Sequence, residues 1–183
     1  EAHIVYDNHI EQLFEPGKNY LYVDVGGGST EINLISEGEL KSSRSYNIGT
    51  VRMLSGMVKN EEKEQMHTDL EVLAKEYAPI HIIGSGGNIN KLFRLADKKD
   101  KKQLFLPLAS LQDIYRTLKD LPKEQRIKLF KLKPDRADVI VLAAEIFMEV
   151  ATRVQANGII VPTIGLSDGI IDSLYTKNRQ WMQ

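Results

Sequence analysis

Cysteine is absent from the chain, which excludes a disulfide scaffold and thiol chemistry and fits a reducing compartment. An excess of charge is missing as well. The 24 Lys and Arg residues face 25 Asp and Glu residues, for a net charge of -1. No global field therefore draws in nucleic acid or an acidic membrane, and any bound anion must be gripped locally. No apolar run is long enough to cross a membrane. The opening "EAHIVYDNHIEQLFE" lacks the basic start and apolar middle of a signal peptide, so a cytoplasmic location is expected. That opening has no initiating Met and reads as mid-helix, which leads us to expect a chain cut from a longer one. Linker-like boundaries and repeats of fixed period are also lacking. The 183 residues, 42% hydrophobic and 27% charged, describe one ordinary globular domain with room for a substantial core.

Spacing gives the expected elements. Residues 1–14 carry a loose helical pattern, and "EPGKN" (15–19) is turn chemistry. Three strand-like segments follow, "YLYVDV" (20–25), "TEINLISEG" (30–38) and "KSSRSYNIG" (41–49), with "SEGE" as a tight hairpin turn. Residues 51–77 return to helical spacing. "PIHIIGSGGN" (79–88) is a short strand running into glycines, and "INKLFRLADKK" a helix behind it. "LPLASLQDIYRTLKDLP" reads as a helix with Ser110 as its N-cap, "KEQRIKLFKLKP" as a shorter one. "DRADVIVLAAEIFMEVATRVQA" (135–156) is the longest helical segment and apolar enough to be buried. Strand "GIIVPT" (158–163) and a closing helix "GLSDGIIDSLYTKN" complete the chain. Three hairpin-joined strands followed by crossover units predict a mixed α/β sheet with helices on both faces. In such sheets ligands collect beyond the strand ends, near the switch points.

Two strands end in glycines. Gly26, Gly27 and Gly28, with the hydroxyls of Ser29 and Thr30, supply one candidate phosphate cradle; Gly84, Ser85, Gly86 and Gly87 supply another. Glycine lets the backbone approach an anion and aim successive N–H groups at it, and a following helix adds its positive end. Glycine also serves tight turns and bulges for steric reasons alone, so neither turn by itself decides the matter. Asp24 closes the first strand, and Glu31 follows one turn later. A carboxylate at the end of a buried strand needs a positive or hydrogen-bonding partner. Beside a phosphate cradle that partner is Mg²⁺ or another divalent cation, held by Asp24 and Glu31. The plainer alternative makes Asp24 a turn cap and Glu31 a solvated acid.

"VDVGGGSTEI" resembles the signature of the exopolyphosphatase / guanosine pentaphosphate phosphohydrolase family, whose pattern runs Asp-Ile-Gly-Gly-Gly-Ser-Thr-Glu. "EAHIVY" (1–6), "IGTVRM" (48–53), "RADVIVLAAEIF" (136–147) and "GLSDGII" (165–171) resemble further family segments in the family's order. The resemblance implies a ribonuclease H-like lobe of the actin, sugar-kinase and heat-shock superfamily. It implies that residues 1–183 form the C-terminal lobe of a two-lobe enzyme whose first lobe is absent. By the same resemblance Glu1 is the base that activates water. Asp24 and Glu31 are the acids associated with the metal and the attacking water, and Gly26, Gly27, Gly28 and Ser29 form the phosphate-binding turn. Two departures stand out: "GSGGN" replaces the family's Gly-Thr-Ser-Gly-Thr, and "LAAEIF" sets Glu145 in an apolar helix. The implied reaction is hydrolysis of a terminal phosphoanhydride, in polyphosphate or guanosine pentaphosphate. The expected partners are that substrate and the missing lobe, with a homodimer left open.

The remaining signals are weaker. His3, His9, His67 and His81 show no metal-ligand spacing. Arg52 and Arg94 can meet phosphate with a planar fork, although arginines are most often plain surface residues. Lys98–Lys102 reads as a solvated loop. Two other functions remain open: a polyphosphate- or alarmone-binding lobe without turnover, and a sugar- or acetate-kinase-like lobe.

Overall fold

Side-chain alternation organises the first half of the chain. In the computed structural model, which describes residues 14–162, Asn19–Val25 forms β1, Thr30–Ser36 forms β2 and Glu39–Tyr46 forms β3. Each strand sends alternate side chains to opposite faces of the sheet. Leu21, Val23 and Val25 join Ile32 and Leu34 in the main core on one face. Tyr20 and Tyr22 pack with Ile35 and Ile83 in a smaller cluster on the other. The β2–β3 hairpin turns at Glu37 and Gly38, both at positive φ (55° and 75°), the conformation a tight two-residue hairpin loop demands.

Helix α1 (Thr50–Leu54) and helix α2 (Asn60–Tyr77) follow, then β4 (Ile80–Ser85) and α3 (Gly87–Leu95). The chain continues through β5 (Phe105–Pro107), α4 (Leu108–Lys119), α5 (Lys123–Phe130), α6 (Pro134–Arg153) and β6 (Gly158–Ile160). The six strands form one sheet in the order β3-β2-β1-β4-β6-β5. β1, β4 and β6 run parallel, β2 is antiparallel to β1 and β3, and β5 is antiparallel to β6. This is the mixed α/β sheet that the strand order predicts.

Helix α6 is the spine of the helical layer. Its Ala137, Ile140, Ala143, Ala144, Phe147, Val150 and Ala151 are buried, and it packs against α1 to α5. The alanines allow close approach, and Phe147 fills the space beside β4. All the described helices in the main core lie on one face. No described helix contributes to the Tyr20–Tyr22 cluster on the other. The helical readings of residues 1–13 and of the segment after Thr163 lie outside the described residues.

Three expectations need correction. Residues 51–77 are two helices, because the chain turns at Gly56 (φ 67°) after α1. Ser110 is not an N-cap. It lies buried inside α4, and the cap position is Pro107, which has extended geometry. The preceding "FLP" is a strand, of which the helical reading took in Leu106 and Pro107: Leu106 is fully buried, and β5 pairs with β6 at the sheet edge, where Pro107 is tolerated. Glu145 is paired, accepting a hydrogen bond from the Tyr115 hydroxyl at 2.8 Å.

Two outcomes follow for stability. Phe147→Ala removes a fully buried ring and should cost about 3–5 kcal/mol, read as a fall in the urea midpoint at unchanged slope. His81, in β4 against Tyr20 (ring centroids 5.6 Å apart), has its pKa lowered from the ordinary 6.5, first by burial and then by the Lys18 cation. The unfolded chain therefore takes up a proton first as pH falls. The stability that neutral His81 provides is complete above pH 6.5 and is lost as pH drops through its lower folded value. Urea midpoints between pH 7.5 and 5.5 should fall less in His81→Phe than in the unsubstituted protein; an equal fall would refute this.

Candidate phosphate-binding site

Residues 26–29 are the loop of the β1–β2 hairpin, closed by Gly26 N–H donating to the Ser29 carbonyl at 2.9 Å. The carbonyls of this turn are drawn to one side. Thr50 N–H donates to Gly26 O (3.0 Å), and Val51 and Arg52 N–H donate to Gly27 O (2.9 and 3.2 Å). The Arg52 side chain donates from Nε to Gly28 O at 2.7 Å. A planar trans peptide points its N–H opposite its C=O. The amides of Gly27, Gly28 and Ser29 consequently face away from α1, and no backbone acceptor among the described residues takes them. Outward-facing successive amides make a concavity suited to an anion.

Gly49, which the sequence reading did not select, makes this arrangement possible. A Cβ there would land on the Gly27 carbonyl and the Gly28 backbone. Thr30, by contrast, belongs to the scaffold and not to the cradle: its fully buried hydroxyl donates to Ile48 O at 2.6 Å. The signal for Gly49 was present in "IGTVRM", but the close approach is a contact across the turn that spacing does not reveal.

Register decides where the acids lie. Asp24 pairs directly with Glu31 across β1–β2, Glu31 with Ser45, and Asp24 with Ser85 of β4. Directly opposed residues project from the same face. Ser45, Glu31, Asp24 and Ser85 thus form one row at the sheet end, on the face away from the main core. Glu31 is exposed, Asp24 half-buried and Ser85 buried.

The second turn sits beside the first because β1 and β4 are adjacent and parallel. Gly86 (φ 109°, ψ 164°) occupies a conformation that glycine alone adopts readily. A Cβ built on it would lie 3.4 Å from Asp24 Oδ1, so the Asp24 carboxylate reaches across to this turn. Gly87 opens α3. A Cβ there would meet the Arg136 guanidinium at 2.6–2.7 Å, and Arg136 also donates to Asn88 Oδ1 at 2.9 Å. Arg136 therefore places a fixed cation at the N-terminal end of α3. Its motif was visible in the sequence, but its position 48 residues beyond Asn88 was not.

Gly84 is different. It lies inside β4, and its missing side chain makes room for Ile159, Phe147 and Ile89 in the core. It packs the strand against the helical layer and takes no part in the turn. Glu1 lies outside the described residues. Arg94 is exposed on α3, and His81 is a strand residue at the far end of β4.

The donors suit a magnesium-like ion. Among the described residues no third His, Cys, Asp or Glu joins Asp24 and Glu31. Two carboxylates and a hydroxyl leave coordination positions for water and phosphate oxygens, the usual Mg²⁺ arrangement. Two residues deeper on the same face, between Tyr22 and Ser43, the buried Asn33 Oδ1 has no hydrogen-bond partner. It is a further oxygen beside the acidic row, one that water around a cation can satisfy.

Comparison with known proteins is decisive for the family. A sequence model of the Ppx/GppA phosphatase family matches residues 1–178. The chain belongs to that family. It is 27% identical over 197 residues to Exopolyphosphatase 2 of Mycobacterium tuberculosis, covering 95% of this chain and 61% of the relative. The Aquifex aeolicus Ppx/GppA phosphatase, in its type II crystal variant, superposes with a TM-score of 0.68 at 27% identity, covering 92% of this chain and 60% of that one. An exopolyphosphatase from Cytophaga hutchinsonii shares the fold at 21% identity, with a TM-score of 0.69 over 93% of this chain and 63% of that one. The chain thus spans about three fifths of the length of these relatives. The α/β, ribonuclease H-like architecture expected from the sequence is the one this Ppx/GppA chain has.

Gly49→Ala forces a methyl onto the Gly27 and Gly28 backbone, so the first turn must shift. The expected outcome is at least tenfold weaker tripolyphosphate binding by calorimetry, together with a lower unfolding midpoint. Binding at full strength would show that the close approach at Gly49 does not matter.

Proposed function

We propose that the protein hydrolyses the terminal phosphoanhydride of inorganic polyphosphate, with guanosine pentaphosphate as the second substrate to test, and that this chain is the half of the site that holds the phosphates. The observation that carries this reading is the row Glu31–Asp24–Ser85 set directly beside the outward amides of Gly27, Gly28 and Ser29. The family, and the exopolyphosphatase name of the Mycobacterium relative, support the substrate class.

The geometry supports the following assignment of roles. The amides of the first turn bind one set of phosphate oxygens, and the α3 N-terminus with Arg136 binds a neighbouring set. Asp24 and Glu31 hold a divalent cation, which when bound offsets phosphate charge and polarises a phosphoryl oxygen. In the reaction a water oxygen bonds to the terminal phosphorus, the bridging P–O bond breaks, and orthophosphate leaves a chain shortened by one phosphate. The water proton passes to a carboxylate, the role the family resemblance gives Glu1. Positioning and charge stabilisation supply most of the acceleration. Because the chain spans three fifths of its relatives, we expect the remaining lobe to close the site, and this chain alone to bind polyphosphate with little or no turnover.

The test is phosphate release from polyphosphate and from guanosine pentaphosphate by the full-length protein, with Mg²⁺ and with EDTA. Release should require the cation, and Glu31→Gln should lower kcat by about a hundredfold or more. Undiminished turnover in Glu31→Gln would reject the assignment, and binding of polyphosphate without any release would establish a sensor instead.

A further inference from the structure

The Gly28–Ser29 peptide is the least supported part of the first turn. Gly26 and Gly27 have their carbonyls held by backbone N–H groups of α1, but the Gly28 carbonyl is held by the Arg52 side chain. A Cβ built on Gly28 would meet nothing within 4 Å, so packing does not confine this residue. Glycine rotates about φ and ψ more freely than any other residue. Rotation of this one peptide would turn the Ser29 amide inward and present the Gly28 oxygen to a bound anion, converting an attractive dipole into a repulsive one.

Arg52 is well placed to prevent that rotation. It leaves α1 in the last turn, and its own N–H already donates to Gly27 O. The residue therefore grips two successive carbonyls, one through its backbone and one through Nε. We propose that Arg52 is a positioning residue that locks the Gly28–Ser29 peptide with its amide toward the phosphate. This inference rests on the phosphate-binding reading above, and it assigns Arg52 a role that does not depend on its charge touching substrate.

Side-chain chemistry separates positioning from direct contact. In Gln the amide nitrogen is bonded to Cδ, as Nε is in Arg, so Arg52→Gln keeps a donor at the required place and removes the charge. Lys has a methylene at that place, so Arg52→Lys keeps the charge and moves the donor. Tripolyphosphate binding to the full-length protein, measured by calorimetry with Mg²⁺, should weaken about tenfold in Arg52→Ala, the scale of one charge-assisted hydrogen bond. Gln should restore most of that loss and Lys little of it. The Gly28 and Ser29 amide resonances should broaden in the Ala and Lys variants and stay sharp in Gln, a readout that a simple loss of stability would not confine to these two residues.

Rescue by Lys but not by Gln would overturn the inference and make Arg52 a direct charge contact. Unchanged affinity in Arg52→Ala would overturn it as well, while unsubstituted protein that binds tripolyphosphate would leave the phosphate-binding reading standing. Failure of the unsubstituted protein to bind would remove both.

Discussion

The parallel pairing of β1 with β4 is the constraint on which the rest of the site depends. It aligns Asp24 with Ser85, so the chain leaves both strands at the same edge and both glycine turns open side by side. Had the two strands been antiparallel, one turn would lie at each end of the sheet, and no single anion could reach both. The parallel arrangement needs a crossover, which α1 and α2 provide. The crossover does more than connect: its first helix supplies the donors that turn the Gly26 and Gly27 carbonyls aside. One topological choice thus sets the separation of the turns and the polarity of the first.

The parts legible in the sequence were those governed by local rules. Alternation in "YLYVDV" and "TEINLIS" gave β1 and β2, and the apolar run after Arg136 gave α6. The same locality made Asp24 and Glu31 readable as a pair, since a hairpin loop between them returns the second acid to the level of the first. Long-range contacts were not legible. Arg136 reaches Asn88 from a helix far along the chain, and Gly49 is fixed by the backbone of Gly27 across the turn. Gly84 could be seen as part of a glycine-rich run, but the partners that give it a packing role, Ile159 and Phe147, come from β6 and α6. β5 escaped notice because three residues are too few to show a period of two, and its apolar pattern merges with that of α4.

The departure at Glu145 shows how the scaffold absorbs a polar residue without using it in the site. A carboxylate in an apolar helix is costly unless hydrogen-bonded. Tyr115 of α4 supplies that bond at 2.8 Å, so the acid fastens α4 to α6 in the helical layer. Contact between the helical layer and the turns is made elsewhere, by the amides of α1 with Arg52 Nε at the first turn and by Arg136 of α6 at the second.

Electrostatics bears on the proposed function, because the candidate site sets donors for an anion beside two carboxylates. Asp24 and Glu31 are directly opposed, about 5 Å apart at Cβ, a spacing at which like charges repel. Setting a polyanion next to them would add to that repulsion, and a site meant only to bind phosphate would not keep both acids there. The outward amides of the first turn and Arg136 would attract an anion, whereas the acidic row would oppose it. A divalent cation between them satisfies both, because it draws the carboxylates together and takes phosphate oxygens on its free side. Under the proposed function the acids beside the first turn would serve as half of a cation-bridged site. The same pair would be expected to bind polyphosphate more weakly, not more tightly, when the cation is withdrawn.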